Sequence, residues 1–468
     1  MKKKLSFIVM PHSWEVAETI PSSDIFKAIA RIPSARLVDY HDFQALFNRN
    51  ERVRRLYRKI TAGSKTADAY FSRLVSLIAP ADYYIFYIHW WNYGLAASLT
   101  LSGFLKARDP AAKVIFFGPY CKAYHREILR ENAWVDGVFI DAMDKAVVPL
   151  AKGAGMEEIG NLSYRSAGGI RTNEIQRYSF HRKSCVSYQK YLDVVDRHQL
   201  YMAAFFYYDL SQGCKNDCFY CCLKSRDLRV TRADFAAREL AVISREVQCP
   251  YFYFTDNALN FNNDFLMDFL KKLGRKRVEL RWSAYMIPKD VDRKMLESLR
   301  AAGCIHIRWG VESADPVRQR QISKRLDLSE VPVILHQAHE CGIRNQVSLI
   351  TGFPHETRNE RVLMAEFIAK NRQVLDVVNI YRFKVRRESL VFRNPALFRI
   401  SLIRSEDRGI DDAIPFDEIG GMTWAIKRRR QEQSRLALNA RLSALGIMDL
   451  EAKAVFLKMI TGEIPWNR

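Results

Sequence analysis

The most reactive stretch of this sequence is Gly213-Cys214-Lys215-Asn216-Asp217-Cys218-Phe219-Tyr220-Cys221-Cys222. Thiolates are soft ligands, and three of them, Cys214, Cys218 and Cys221, recur here in a C-x3-C-x2-C spacing, which points to a metal. On a loop they can reach one face of a small iron–sulfur cluster, whose irons take cysteine thiolates. A cube of four irons normally wants four such ligands. Three from one loop, with no obvious fourth, leave one iron open to a substrate or cofactor. Zinc is the competing reading. Structural zinc favours C-x2-C pairs and four closed ligands, and only Cys218 and Cys221 form such a pair. Cys222 sits beside Cys221 and reads as a small core residue. Cys121, Cys249, Cys304 and Cys341 read as scattered buried thiols, and Cys185, near a linker, keeps a role in the site open.

A ligand loop needs a platform, and the residues around it supply one. From Tyr201 onward short apolar runs alternate with helical stretches. The expected strands are Phe205–Leu210, Tyr251–Thr255, Leu280–Ala284, His306–Gly310, Gln346–Thr351 and Val377–Phe383. Helices are expected between them at Asn263–Lys272, Arg293–Ala302, Val331–Cys341 and Glu360–Lys370. Six such units suit a partial (β/α)6 barrel better than a closed eight-fold one. Residues 1–150 show a second alternating series, with strands at Lys4–Met10, Arg36–Tyr40, Tyr83–His89, Lys113–Phe117 and Gly137–Ile140. Helices are expected there at Asp24–Arg31, Asp42–Thr61 and Leu95–Ala107. Alternation of this kind predicts a doubly wound parallel sheet, which binds ligands at the carboxyl ends of its strands. The fold class is therefore α/β: a front doubly wound domain (1–150), a linker (151–200), a partial barrel (201–395) and a basic, mostly helical C-terminal region (396–468). Gly160–Arg165 and Gly168-Gly169 read as part of the wrapped linker.

Composition narrows the classes further. At 48% apolar and 27% charged residues over 468 positions, the chain is neither disordered nor fibrous. Nine cysteines spread over that length do not make a secreted disulfide scaffold. Leu74–Leu105 carries Asp82 as its one formal charge, but Pro80, His89, Asn92 and Gly94 interrupt it short of the ~18 clean apolar residues a membrane span needs. With no secretory pattern at Lys2–Ser13, a cytoplasmic protein with reduced thiols is expected. The net charge of +21, clustered at Arg49–Lys59 and Lys427–Arg430, allows an anionic substrate or partner; nucleic acid is the weaker option.

The cysteine loop, with aromatic Tyr220 before its last cysteine, resembles the signature loop of the radical S-adenosylmethionine (SAM) superfamily. Phe252–Asp256 with Asn257 resembles that family's second barrel strand, whose end meets the amino group of the methionine moiety. Gly310-Val311-Glu312-Ser313, followed by Lys324-Arg325, is similar to the fourth strand's G-x-E-S and the basic residue after it. Ile350-Thr351-Gly352-Phe353-Pro354-His355-Glu356 is similar to the fifth strand's adenine-side stretch. The resemblance covers about residues 201–395. It implies that Cys214, Cys218 and Cys221 hold a 4Fe–4S cluster whose open iron chelates SAM, and that reductive cleavage of SAM yields a 5′-deoxyadenosyl radical. It further implies contacts from Glu312 and Ser313 to the ribose or methionine part, from Lys324 to the carboxylate and from Ile350 to adenine. No catalytic residue is singled out.

The front domain resembles the cobalamin-binding domain of one branch of that superfamily, in Asp82–His89, Ala96–Lys106, Val114–Pro119 and Val135–Val138, with a similar linker at Leu162–Arg165. It departs from the pattern in three places. No D-x-H-x-x-G follows the first strand, so no histidine of that motif ligates cobalt, and His12 stands at the wrong spacing. Gly118-Pro119 replaces Gly-Gly, and Asp141-Ala142-Met143-Asp144 replaces an acidic G-E stretch. The resemblance implies a cobalamin-dependent methyltransferase acting on an unactivated carbon of a small molecule or peptide, fed by an electron donor such as flavodoxin or ferredoxin. The alternatives are radical chemistry without methylation on a degenerate front domain, or a zinc-containing nucleic-acid-binding protein. Trp90, Trp91 and Tyr93 fall where a cofactor face would be. Tyr381-Arg382-Phe383 and Arg386, Arg387 and Arg393 stand where a substrate mouth would be.

Overall fold

The computed structural model describes residues 2–10, 34–43, 66–88, 94–141, 146–176, 205–222, 228–387, 389–403, 413–450 and 452–465, with isolated positions elsewhere. The chain divides into two units, one carried mainly by Met1–Ser179, the other mainly by Phe205–Asp407 and Ala413–Arg468. No helix among the described residues is long and apolar enough to cross a membrane.

In the first unit the strands are β1 (Leu5–Val9), β2 (Val38–Asp42), β3 (Tyr83–Tyr87), β4 (Lys113–Phe117), β5 (Gly137–Phe139), β6 (Leu162–Ser166) and β7 (Gly169–Thr172). They form one sheet in the order β2-β1-β3-β4-β5-β6-β7. The first five run parallel. Central strands covered on both faces must be apolar throughout, and β3, Tyr-Tyr-Ile-Phe-Tyr, is buried at every position. The order 2-1-3-4-5 is flavodoxin-like, with its switch point between β1 and β3. Helices α1 (Thr66–Leu77), α2 (Leu95–Arg108), α3 (Pro119–Glu131) and α4 (Val147–Lys152) connect the strands. Arg108 fastens two of them, donating to the Val75 and Ile78 carbonyls at the end of α1 from the last turn of α2.

Two expectations change here. The strand expected at Arg36–Tyr40 begins at Val38, because Ala35–Leu37 coil into a short 3-10 turn. Gly160–Arg165 and Gly168-Gly169, read as part of a wrapped linker, are packed structure: β6 and β7 add antiparallel to β5 and extend the sheet. Leu162, Ser163 and Tyr164 are buried, and pairing them covers an edge that β5 would otherwise leave open. The helix expected at Asp42–Thr61 lies outside the described residues from position 44 on, and Asp42 itself ends β2.

The second unit starts with β8 (Phe206–Tyr208) and a small ribbon of β9 (Ser211–Gln212) and β10 (Arg229–Val230). Then follow α5 (Ala233–Val247), β11 (Tyr251–Phe254), α6 (Asn263–Gly274), β12 (Arg281–Met286), α7 (Arg293–Ala301) and β13 (Cys304–Glu312). After them come α8 (Pro316–Gln321), α9 (Glu330–Glu340), β14 (Arg344–Thr351), α10 (Arg358–Lys370) and β15 (Val377–Arg382). The last elements are α11 (Leu390–Arg393), β16 (Ile400–Leu402), β17 (Phe416–Glu418), α12 (Trp424–Ala444) and α13 (Ala452–Ile460). Six parallel strands stand in chain order, β8-β11-β12-β13-β14-β15, with no pairing between the first and the last.

Side chains on a strand alternate between faces. Phe254 packs outward on Phe269 of α6, while Tyr253 turns inward to Tyr207 and to Phe456 of α13. Phe205 joins this inner aromatic floor at the start of β8. The residues after 396 are part of this unit. Met448 forms a parallel bridge with Val377 and accepts from the Val378 amide, which covers the β15 edge. Helix starts are fixed by side-chain caps: Asn262 for α6, Asp292 for α7, and for α10 a capping box of Thr357 with Glu360.

Candidate functional site

The cysteine loop leaves the ribbon at Gln212 and is held at its entry by the end of β11. Asp256, buried, accepts from the Leu210 amide at 3.0 Å and from both the amide and the hydroxyl of Ser211 at 2.7 and 2.6 Å. Burial pushes its carboxyl up to about 7, against the pull of the Ser211 hydroxyl. Asn257 donates to the Gly213 carbonyl at 3.0 Å. Both residues therefore fix where the loop begins.

The middle of the loop is wedged by Phe219, which lies between two of the cysteines. Its ring stacks on Phe398 at 4.8 Å and meets Phe353 and Phe383 at 5.8 and 6.1 Å, and its carbonyl accepts from the Val391 amide. Cys218 and Ile350 belong to the same apolar cluster, with Tyr220 and Cys221 at its margin. Tyr220 packs edge-on to Phe353, and burial followed by the Glu312 carboxylate holds its phenol well above the ordinary range. None of the eight described cysteines is in a disulfide. Burial raises the Cys218 thiol, while Lys324 and Ser323 pull the other way.

The donor set, three cysteine sulfurs on one loop, is the kind that an iron–sulfur cluster takes. Among the described residues no three His, Cys, Asp or Glu side chains meet as a single-ion site would require.

Beside the loop stands a buried polar group built on β12 and β13. Lys324 donates to Glu312 Oε1 at 2.5 Å, to the Tyr285 hydroxyl at 2.9 Å and to the Gly310 carbonyl at 3.1 Å. Tyr285 donates to the same carboxylate oxygen at 2.9 Å. The Lys324 and Glu312 side chains are only 7% and 8% exposed. Burial works against the lysine charge, but Glu312, then Tyr285 and Cys218, outweigh it and raise its pKa. A shift of register between Gly310 and Glu312 on β13, with Glu312 at φ 67°, turns the chain at this point. Bulges of this sort re-aim side chains at sheet ends, and here the carboxylate reaches back to the ammonium over Gly310. A Cβ at Gly310 would fall on the Tyr285 hydroxyl and the Lys324 ammonium, so only glycine fits. Ser313 is turned away, its hydroxyl accepting from the Asp315 amide.

The end of β14 is locked from α12. Lys427, 2% exposed, donates to Glu418 and to the Phe353 carbonyl, both at 2.6 Å. Gln431 donates to the carbonyls of Gly352 and Phe383. Glu356 accepts from the Gly352 amide and the Thr351 hydroxyl. At Gly352, with φ +80°, a side chain would collide with Gln431.

The structure thus gathers Cys218, Tyr220, Glu312, Lys324 and Ile350 in one region, ties Asp256 and Asn257 to the loop entry, and leaves Ser313 facing α8. Phe383 is buried in the aromatic cluster, whereas Tyr381 and Arg382, which pairs with Glu432, are both exposed. His12, Trp90, Trp91, Tyr93 and Cys185 lie outside the described residues. Tyr285, Lys427, Gln431 and Glu418 were not anticipated. The one signal for Tyr285 is that it extends the Leu280–Ala284 pattern by a residue.

A cysteine loop at the mouth of a six-stranded parallel sheet, beside a buried Lys–Glu–Tyr group, defines a cofactor-dependent α/β protein. Residues 208–368 match the radical SAM superfamily, so the chain carries a radical SAM domain. An uncharacterised methyltransferase, PH0819 of Pyrococcus horikoshii, is 23% identical over 311 residues, covering 65% of this chain and 68% of that protein. The radical SAM methyltransferase TsrM of Kitasatospora setae, solved with cobalamin and a [4Fe-4S] cluster, shares the fold at a TM-score of 0.68 and 12% identity, over 94% of this chain and 89% of that one. The cobalamin-dependent SAM radical enzyme OxsB, solved with aqua-cobalamin and SAM, does so at 0.70 and 11%, over 99% and 71%.

Proposed function

We propose that this protein is a cobalamin-dependent radical SAM methyltransferase acting on an unactivated carbon of a small-molecule or peptide substrate. The observation that carries the reading is the C-x3-C-x2-C loop clamped between Asp256 and the Phe219 aromatic wedge, next to the Glu312–Lys324–Tyr285 group. The flavodoxin-like order of the first sheet supports a cobalamin-binding front unit.

In this reading Cys214, Cys218 and Cys221 hold the cluster, and Lys324, its three donors engaged by Glu312, Tyr285 and the Gly310 carbonyl, contributes its charge near the methionine carboxylate of SAM. When bound, the cluster supplies one electron for cleaving SAM and cobalamin carries the methyl group. The buried Tyr285 orients the carboxylate of Glu312 by donating to it, and the high pKa of its phenol, set by burial and then by Glu312, keeps that proton in place at neutral pH. Ile350, Phe353 and Phe219 pack in one apolar cluster with Cys218 and shield that thiol from water. A small ferredoxin or flavodoxin is the proposed electron donor.

The test is anaerobic reconstitution followed by assay for 5′-deoxyadenosine and S-adenosylhomocysteine and by the absorbance of retained corrinoid. Both products with bound corrinoid support the reading. 5′-Deoxyadenosine without corrinoid or S-adenosylhomocysteine leaves non-methylating radical chemistry, and no iron uptake ends the proposal.

A further inference from the structure

We infer that Arg308 is an anion-binding residue inside the second unit's sheet, taking a carboxylate or phosphate oxyanion of the substrate. The inference rests on the function proposed above and adds to it the charge of the molecule acted on. Along β13, His306, Arg308 and Gly310 share a face, and Arg308 shows which face it is. Its guanidinium carbon stands 4.1 Å from the centroid of Tyr253, two strands away on β11, whose ring belongs to the inner floor with Tyr207 and Phe456. One nitrogen, Nη2, donates to the Phe254 carbonyl at 2.6 Å, at the carboxyl end of β11. The side chain therefore crosses β12 on the inner face, towards the end of the sheet that carries Asp256 and the cysteine loop.

What sets Arg308 apart is its missing counter-ion. Arg318, Lys324, Arg344 and Lys427, buried or nearly so, each have a carboxylate: Glu360 at 2.9 Å, Glu312 at 2.5 Å, Asp376 at 2.5 Å and Glu418 at 2.6 Å. Among the described residues no carboxylate lies within ion-pair distance of Arg308. Its Nε is buried with no hydrogen-bond partner. A largely enclosed cation with unused donors is costly unless something completes it. A guanidinium fork matches planar or tetrahedral oxyanions two bonds at a time. The neighbours do not compete for that role. Register pairs Arg308 with Tyr285 and Gln346. The Tyr285 hydroxyl is committed to Glu312 and Lys324, and Gln346 donates to Asn379. His306 is fully buried and held neutral, its pKa lowered to about 3 by burial and then by Arg308 itself. The Tyr253 ring and the Phe254 carbonyl fix the guanidinium plane before any ligand arrives, which lowers the ordering cost of binding.

The experiment titrates the full-length, anaerobically reconstituted protein by calorimetry with benzoate, phenyl phosphate and the neutral benzamide. It compares wild type with Arg308→Gln and Arg308→Lys, and measures SAM affinity and melting temperature alongside. Wild type is expected to bind one of the two anions at least tenfold more tightly than benzamide. Arg308→Gln should lose that tenfold preference with SAM affinity unchanged within twofold, and Arg308→Lys, which keeps charge but not the fork, should fall between. The preferred anion identifies the oxyanion. Equal binding of anion and amide by wild type, or full anion binding by Arg308→Gln, overturns the inference. So does an equal loss of SAM affinity in Arg308→Gln, which would make Arg308 the seat of the methionine carboxylate. Should Arg308→Gln melt early, the comparison of wild type with Arg308→Lys decides. Failure of the broader functional reading shows separately, as wild type without iron or SAM binding, because the anion titration requires neither.

Discussion

Replacing Lys324 by methionine removes one ammonium from a buried group in which it makes three hydrogen bonds, and leaves the Glu312 carboxylate with Tyr285 as its remaining donor. At the 2.5 Å separation of the pair, the gross attraction is roughly 7 kcal/mol with an effective dielectric constant near 20, most of it offset by desolvation. The net attraction is thus modest, but a stranded buried charge is not: breaking such a pair from one side costs about 3–5 kcal/mol. Glu312→Gln should cost a similar amount, by stranding the ammonium. The double variant strands neither charge, so its cost should fall short of the sum of the two singles by about 2 kcal/mol or more. Urea unfolding of the cluster-free protein measures this by tryptophan fluorescence, with Trp282 and Trp309, both fully buried on neighbouring strands, reporting on this unit. In reconstituted protein, Lys324→Met should also weaken SAM binding severalfold, by about 1 kcal/mol, through loss of a positive charge near the carboxylate. Additivity of the two single substitutions within about 0.5 kcal/mol would refute the reasoning, since it would mean that the two charges do not stabilise one another.

Gly310→Ala should destabilise the second unit by about 1–3 kcal/mol through overpacking against Tyr285 and Lys324, and a thermal melt within error of wild type would contradict that. Serine at Cys214, Cys218 or Cys221 should abolish iron retention after reconstitution, while Cys304→Ala and Cys341→Ala keep it; iron analysis distinguishes the two sets. Lys427→Met, which strands Glu418, should cost about 3–5 kcal/mol in urea. Asp256 has a folded pKa raised to about 7, first by burial, so the folded protein binds more protons than the unfolded chain above the ordinary carboxyl range. Its contribution is present at low pH and is lost as pH rises through 7. Stability should therefore fall between about pH 4 and 7, and Asp256→Asn should flatten that slope.

The parts of the site that were legible in sequence share one property: their chemistry is local. Three thiols within eight residues, or a glycine and a glutamate two apart, announce themselves because one short segment carries the whole signal. Lys427 does not, although it belongs to the basic cluster Lys427–Arg430. It is 2% exposed while the three arginines after it are exposed, and only contact with Phe353, 74 positions earlier, separates it from them. The alternation of short runs gave both parallel sheets, since a strand buried on both faces must be apolar from end to end. It failed for β6 and β7, where Gly160, Gly168 and Gly169 hide a two-stranded extension whose buried residues pair only with an edge formed elsewhere in the chain.

The lock formed by Lys427 and Gln431 sets an order of events in time. Both residues bind carbonyls at 352, 353 and 383, at the rim beside which the cysteine loop packs. On a ribosome the cysteines emerge some two hundred residues before those donors, and the sheet end they rest on stays unbraced until the donors arrive. In the proposed reading, a cluster on Cys214, Cys218 and Cys221 would find its rim braced only once synthesis has passed residue 431, and a chain stopped short of it would offer three thiols on an unfinished rim.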